Sequence, residues 1–205
     1  EKNDKDVEEY IKSNFDRIKH RGPDKTTHYV VGEDTFIGFH RLAINGLTER
    51  GDQPFIYSKE NGKSVYVICN GEIYNYRELN KKYKLELEEG DSDCAVIYPL
   101  YLKLGLEKMI NLLDGVFAFV IYDEESGEVC AGRDPIGVRP LFYGVEGKLG
   151  FCSEAKGLCD LMEVVPFPPG SYMENGEVKS FFKIDDFKET GPNPYLSIIK
   201  DSEMY

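Results

Sequence analysis

An α+β fold, antiparallel sheets covered by helices, is predicted by three observations. Short alternating or aromatic runs are joined by tight turns, helical stretches with capping signals lie between the strand pairs, and no βαβ rhythm appears. The 205 residues are enough for one sizeable domain, and they contain no internal repeats or low-complexity tracts.

The first element is a helix. Val7, Ile11, Phe15 and Ile18 recur at three- and four-residue spacing, and the pattern stops at Arg21-Gly22-Pro23. A hairpin follows, with runs at 28–31 and 35–39 around a Gly32-Glu33-Asp34 turn. Val65, Val67 and Cys69 alternate as in a strand with two unlike faces. Asn75 and Glu78 have the spacing of a capping box. A second cap at Asp91-Ser92-Asp93 opens a helix that places Val96, Ile97, Leu100, Tyr101 and Leu104 on one stripe and ends at Gly105. A short helix is predicted over 107–113. Strands are predicted over 117–122, 129–132, 141–143 and 149–152, separated by turn clusters at 123–127 and 145–148, and a hairpin turn at Glu174-Asn175-Gly176-Glu177. After Phe187 the chain turns polar, so 1–187 is taken as the domain and 188–205 as a linker or tail.

Composition narrows the partners. The formal net charge of −12 disfavours nucleic acid and anionic membranes, and the mixing of both signs along the chain points to solubility. No apolar run is long enough to cross a bilayer, and the first residues do not resemble a signal peptide. The five cysteines, at 69, 94, 130, 152 and 159, include no CxxC pair. Neither a disulfide framework nor a metal site is expected; buried thiols in a cytoplasmic protein are the simplest account.

Four segments could carry chemistry. His20-Arg21-Gly22-Pro23-Asp24 places charges beside a turn, an arrangement that is usually structural. Arg41 closes a predicted strand, where a guanidinium can clamp a carboxylate, although a surface salt bridge is the default reading. Asn70-Gly71-Glu72 reads by default as a hairpin turn. The same residues can also supply an oxyanion hole, from the Asn70 amide and the Gly71 N–H, beside an acid able to hold an ammonium group. The very short return at Ile73-Tyr74 speaks against the plain hairpin. Asp91, Ser92 and Asp93 cannot all cap one helix, so a carboxylate is left over, although acids at a helix start are favoured by the dipole alone.

Seven motifs occur in one order. They are His20-Arg21-Gly22-Pro23-Asp24, Arg41-Leu42-Ala43-Ile44, Gln53-Pro54-Phe55, the run from Asn70 to Tyr76, Ser92-Asp93-Cys94, the run from Gly132 to Leu141, and Ser153-Glu154-Ala155-Lys156. Together, from His20 to Tyr172, they resemble the class II glutamine amidotransferase domain and, within it, the glutaminase domain of the asparagine synthetase family. The resemblance implies an Ntn-hydrolase fold, a four-layer αββα sandwich. It implies that Arg41 grips the glutamine α-carboxylate with help from the backbone of Leu42, Ala43, Ile44 and Asn45. Glu72 and Asp93 would hold the α-ammonium, and Asn70 and Gly71 the oxyanion. The Arg133 to Leu141 stretch is expected to be structural, and Ser153 to Lys156 to face a partner domain. No cofactor is expected here; ATP and Mg belong to a C-terminal synthetase domain. A homodimer stays open.

The chain departs from the family at its start. The family's nucleophile is an N-terminal cysteine whose free amine serves as base, carried on an opening strand; residue 1 here is Glu1. Gly46 and Ala43 replace a common aspartate and serine. No Ser-Gly-Gly-rich phosphate loop occurs, so this chain by itself does not activate aspartate. The reading is a fragment of a synthetase that has lost its first strand and second domain. A non-catalytic glutamine-binding or regulatory domain, and the glutaminase part of another class II amidotransferase, are the alternatives.

Overall fold

The structure is a computed structural model that describes residues 9, 13–32, 35–43, 48–144 and 149–182. Val7 and Ile11 of the predicted first helix, Glu33 and Asp34 of the first turn, Ile44 and Asn45, the turn at 145–148 and the tail 188–205 lie outside the described residues.

The strands are β1 (Lys25–Val31), β2 (Thr35–Arg41), β3 (Phe55–Ser58), β4 (Ser64–Ile73), β5 (Gly115–Asp123), β6 (Val129–Arg133), β7 (Phe142–Gly144), β8 (Gly150–Cys152), β9 (Val164–Pro166), β10 (Ser171–Glu174) and β11 (Glu177–Ser180). The α-helices are α1 (Tyr76–Tyr83), α2 (Ile97–Leu104) and α3 (Leu106–Ile110). A six-stranded antiparallel sheet runs β11-β10-β6-β5-β4-β3; β1 pairs with β2, and β8-β7-β9 form a third sheet.

Alternation along β4 and β5 builds the core. Val65, Val67, Cys69 and Ile73, with Phe117, Phe119 and Ile121, point from one face of the large sheet into α1–α3, where Leu79, Leu100, Leu106 and Met109 meet them. Phe117 and Phe119 are fully buried, each contributing about 2–3 kcal/mol of apolar burial. On the opposite face Ala118, Ala131 and Met173 pack on Leu141 and Phe167, bringing Tyr143 and Phe151 of the small sheet against it. Outside the β-layers, short 3-10 segments at Phe15–Arg21 and Ala155–Leu158 close the fourth layer. The α+β sandwich predicted from the sequence is the one observed, with 3-10 turns in its outer helical layer.

The default turn reading at Asn70-Gly71-Glu72 fails, as the short return at Ile73-Tyr74 indicates, and three other local expectations are corrected. Asn70-Gly71-Glu72 makes no turn: it continues β4, opposite Ala118, Phe117 and Val116 of β5. The strand runs on because backbone pairing with β5 outweighs the local turn preference of Asn-Gly. The capping box at Asn75 and Glu78 does not form. The Asn75 amide instead donates to Leu112 O at 2.9 Å and accepts from Asp114 N at 3.1 Å, tying the start of α1 to the start of β5. The predicted 107–113 helix is the shorter α3. β3 and β9 carried too little alternation over too few residues to be anticipated. As for the cysteines, Cys69, Cys94 and Cys130 are buried as expected, but Cys159 is exposed.

The hairpin is anchored by His40, which is buried and stacks on Phe15 with ring centroids 3.8 Å apart. Its Nε2–H donates to Phe15 O at 3.0 Å, and its Nδ1 lies 2.8 Å from Thr26 Oγ1, which can donate to it. Burial is the largest influence on the ring and lowers its pKa below the ordinary 6.5. The unfolded chain therefore takes up the proton first as pH falls. The stability His40 contributes is complete above about 6.5 and is lost below it, down to the depressed folded value. Thermal melts between pH 8 and pH 5 are expected to fall more steeply for the wild type than for His40→Gln; parallel curves would refute this.

Candidate active site

A cavity of about 650 Å³ lies between the open face of the large sheet and the β1–β2 hairpin. Even-numbered residues of β4, Tyr66, Ile68, Asn70 and Glu72, form its floor, with β2 as a wall. Arg41, Leu42, Asn70, Gly71, Glu72 and Asp93, far apart in sequence, all line it.

Arg41 is placed by the end of β2, where it pairs with Lys25 of β1. Its side chain is only 10% exposed, so the pair it makes is not the surface salt bridge of the default reading. Nη1 donates to Thr48 O at 3.1 Å and to Asp52 Oδ1 at 2.5 Å, and Lys25 reaches the other Asp52 oxygen. Burial pushes the Asp52 carboxyl up, but the hydrogen bonds from Lys25 and Arg41 outweigh it and hold the group below the usual carboxylate range. Leu42 is exposed at the mouth. Ala43 is not among the lining residues, and its N–H donates to Asp24 Oδ2 at 2.8 Å. Through that bond the His20–Asp24 motif fixes the chain leaving β2.

The Asn70 end of β4 is held from beneath. The Gln53 amide clamps the backbone of Cys69, donating to its O at 3.0 Å and accepting from its N at 2.6 Å. This sets the register one residue before Asn70, whose Nδ2 is buried without a hydrogen-bond partner among the described residues. A buried amide donor without an acceptor costs about 1–3 kcal/mol, and such cost is retained where a ligand oxygen completes the bond.

Asp93 opens the 3-10 turn Asp93–Val96, and Ser92 is the cap, its Oγ accepting from Cys94 N. Asp93 lines the cavity and is also tied into the fold. Its Oδ2 accepts from Ile73 N at 2.6 Å and so locks the turn to the end of β4 beside Glu72. Cys94 lies next to it, donating to Gly71 O at 3.6 Å. A hydrogen bond with Cys69 and burial push this thiol well above its ordinary value, so it stays protonated and is no nucleophile.

Arg139 is the residue that the sequence did not single out. It lines the cavity, and its Nη2 lies 3.8 Å from Glu72 Oε1. The loop that delivers it is held by hydrogen bonds at both ends. Asp134, with no exposed surface, accepts from the N–H of Val138, Arg139 and Phe117, while Arg133 donates to the carbonyls of Gly137, Arg139 and Phe167. The stretch from Arg133 to Leu141 was expected to be structural; Arg133 and Asp134 hold the loop, but Arg139 of the same stretch reaches the cavity. The Ser153–Lys156 motif meets the His20 motif, with Glu154 receiving His20, Arg21 and Lys156.

This fold is that of the Ntn-type amidotransferases. Two solved structures share it: the glutamine phosphoribosylpyrophosphate amidotransferase from B. subtilis, with a TM-score of 0.58, and an allosteric regulatory enzyme of purine biosynthesis, with a TM-score of 0.60. Each is 24% identical over 71% of this chain, and the chain covers 34% and 35% of them. The glutamine amidotransferase domain model matches residues 1–190, and the chain belongs to that family. Among its curated relatives are a probable glutamine-hydrolysing asparagine synthetase of Acanthamoeba polyphaga mimivirus, 44% identical over 74% of the chain, and the asparagine synthetase of Zea mays, 40% identical over 92%. The chain spans 28% and 32% of their lengths. Among the described residues no helix is long and apolar enough to cross a membrane.

Proposed function

We propose that this chain is the glutaminase part of a glutamine-dependent asparagine synthetase, with 1–187 as the domain and 188–205 leading toward a synthetase domain. The observation that carries the reading is the convergence of the buried Arg41 guanidinium, the acids Glu72 and Asp93 and the unpartnered Asn70 amide donor on one cavity. Arg41 takes the α-carboxylate, Glu72 and Asp93 surround the α-ammonium, and the Asn70 amide with the Gly71 N–H faces the side-chain carbonyl. That charge arrangement suits a zwitterionic amino acid with a neutral, polar side chain.

In the complete enzyme a cysteine led in on an N-terminal strand attacks the glutamine amide. The oxyanion rests on Asn70 and Gly71, ammonia leaves, and water releases glutamate from the thioester. The synthetase domain, with ATP and Mg, would join the ammonia to aspartate. The identity to asparagine synthetases over most of this chain supports that acceptor.

The test is calorimetric titration with glutamine. The chain is expected to bind it, and Arg41→Ala to weaken binding about 10- to 100-fold, the value of a charge-assisted pair of hydrogen bonds. Addition of a cysteine-led N-terminal strand is expected to produce glutamate and ammonia from glutamine. An unchanged affinity in Arg41→Ala, together with no glutamate from the extended chain, would refute the reading.

A further inference from the structure

We propose that Arg139 is a positioning residue for amine recognition, orienting the Glu72 carboxylate that the ligand's ammonium group meets. This rests on the glutamine reading of the cavity, and three observations carry it beyond that reading.

First, the loop from Asp134 to Arg139 fixes Arg139 on both sides of its peptide unit, with its N–H donating to Asp134 Oδ2 at 3.0 Å and its carbonyl accepting from Arg133 Nε at 2.7 Å. The side chain thus leaves a backbone held in place by hydrogen bonds. Second, the guanidinium stands 3.8 Å from Glu72 Oε1, too far for a hydrogen bond but close enough to attract the carboxylate. An arginine in full bidentate contact would occupy the carboxylate that an ammonium must reach. At this separation it orients Glu72 and leaves its oxygens available as acceptors. Third, Arg139 Nε is buried without a hydrogen-bond partner among the described residues, a condition it shares there only with Asn70 Nδ2 in the floor of the same cavity. A guanidinium placed for stability satisfies its buried donors. This one is placed by its neighbours and aimed at Glu72.

The ligand class is therefore an amino acid with a free α-amine, and Arg139 acts on that end alone. The chain is titrated with glutamine and with 4-carbamoylbutanoate, which keeps the carboxylate and amide and lacks the amine. Arg139→Gln is expected to weaken glutamine about tenfold while 4-carbamoylbutanoate stays within about twofold. In a Glu72→Gln background the same change is expected to cost less than about twofold, since its target is gone. Arg139→Met, which buries no unpaired donor, serves the same comparison if Arg139→Gln does not fold. Equal losses for both ligands, a full loss persisting without Glu72, or unchanged glutamine affinity would each overturn the proposal while leaving the glutamine site standing. Failure of the unaltered chain to bind glutamine would instead remove the site reading and this proposal together.

Discussion

Replacing Asp134 with alanine is expected to destabilise the protein by about 4 kcal/mol, among the larger effects a single substitution can have. The carboxylate is wholly buried and accepts from three backbone N–H groups, those of Phe117, Val138 and Arg139. Alanine leaves these donors without their acceptor, and that of Phe117 lies in the core of β5. The loss also removes the negative charge beside Arg133, whose pKa burial lowers and Asp134 raises. Asp134→Asn keeps an acceptor oxygen and is expected to cost about half as much. Urea unfolding of the two variants measures both values. A cost below about 1 kcal/mol for alanine would mean that water replaces the carboxylate without penalty. Because the same oxygens hold the Arg139 loop, glutamine affinity should fall with Asp134→Asn even where the fold persists.

Gly71→Ala is expected to cost at least about 3 kcal/mol and to abolish ligand binding, through contact with backbone that cannot yield. A Cβ at this position would lie 2.1 Å from Val116 O and 2.7 Å from Phe117 Cα. Both belong to β5, the strand hydrogen-bonded to β4 along this stretch. Relief requires the two central strands to separate, which moves Asn70 and Glu72 on either side of the substitution. Gly127→Ala makes the useful contrast. That glycine has φ +70° in the β5–β6 turn, and an added Cβ meets nothing within 4 Å. It should cost only about 1–2 kcal/mol of backbone strain and leave glutamine binding intact. Thermal melting and titration of the two variants separate these outcomes; equal stability losses would show that the close approach of β4 and β5 is not what requires glycine at 71.

The two acids of the site differ in how much of their role is set by local sequence. Asp93 could be read as a first-turn acid beside a capping serine, and Ser92 indeed caps. That its carboxylate holds Ile73 N–H depends on β4 ending beside that turn, a contact across 20 residues of sequence. For Glu72 the local pattern misled in one respect: Asn-Gly marks a turn in isolation, yet the residues run straight because β5 supplies partners for their backbone. Arg139 was hidden more completely. Its loop reads as turn chemistry, and its aim is set by Asp134 and Arg133, whose bonding partners lie in β5 and at Phe167.

Alternation in β4, the apolar run of β5, the stripe on α2 and the turn residues between strands determined by themselves that this chain forms helix-covered antiparallel sheets, because apolar burial and backbone pairing follow local sequence pattern. The ordered motifs likewise marked Arg41, Asn70, Gly71, Glu72 and Asp93 before any contact was known. Only the tertiary structure decided that these residues share one cavity, that Arg41 comes already paired with Asp52, and that Arg139 faces Glu72. Those relations are distances between segments remote in sequence, and such distances are set by how the sheets and loops pack.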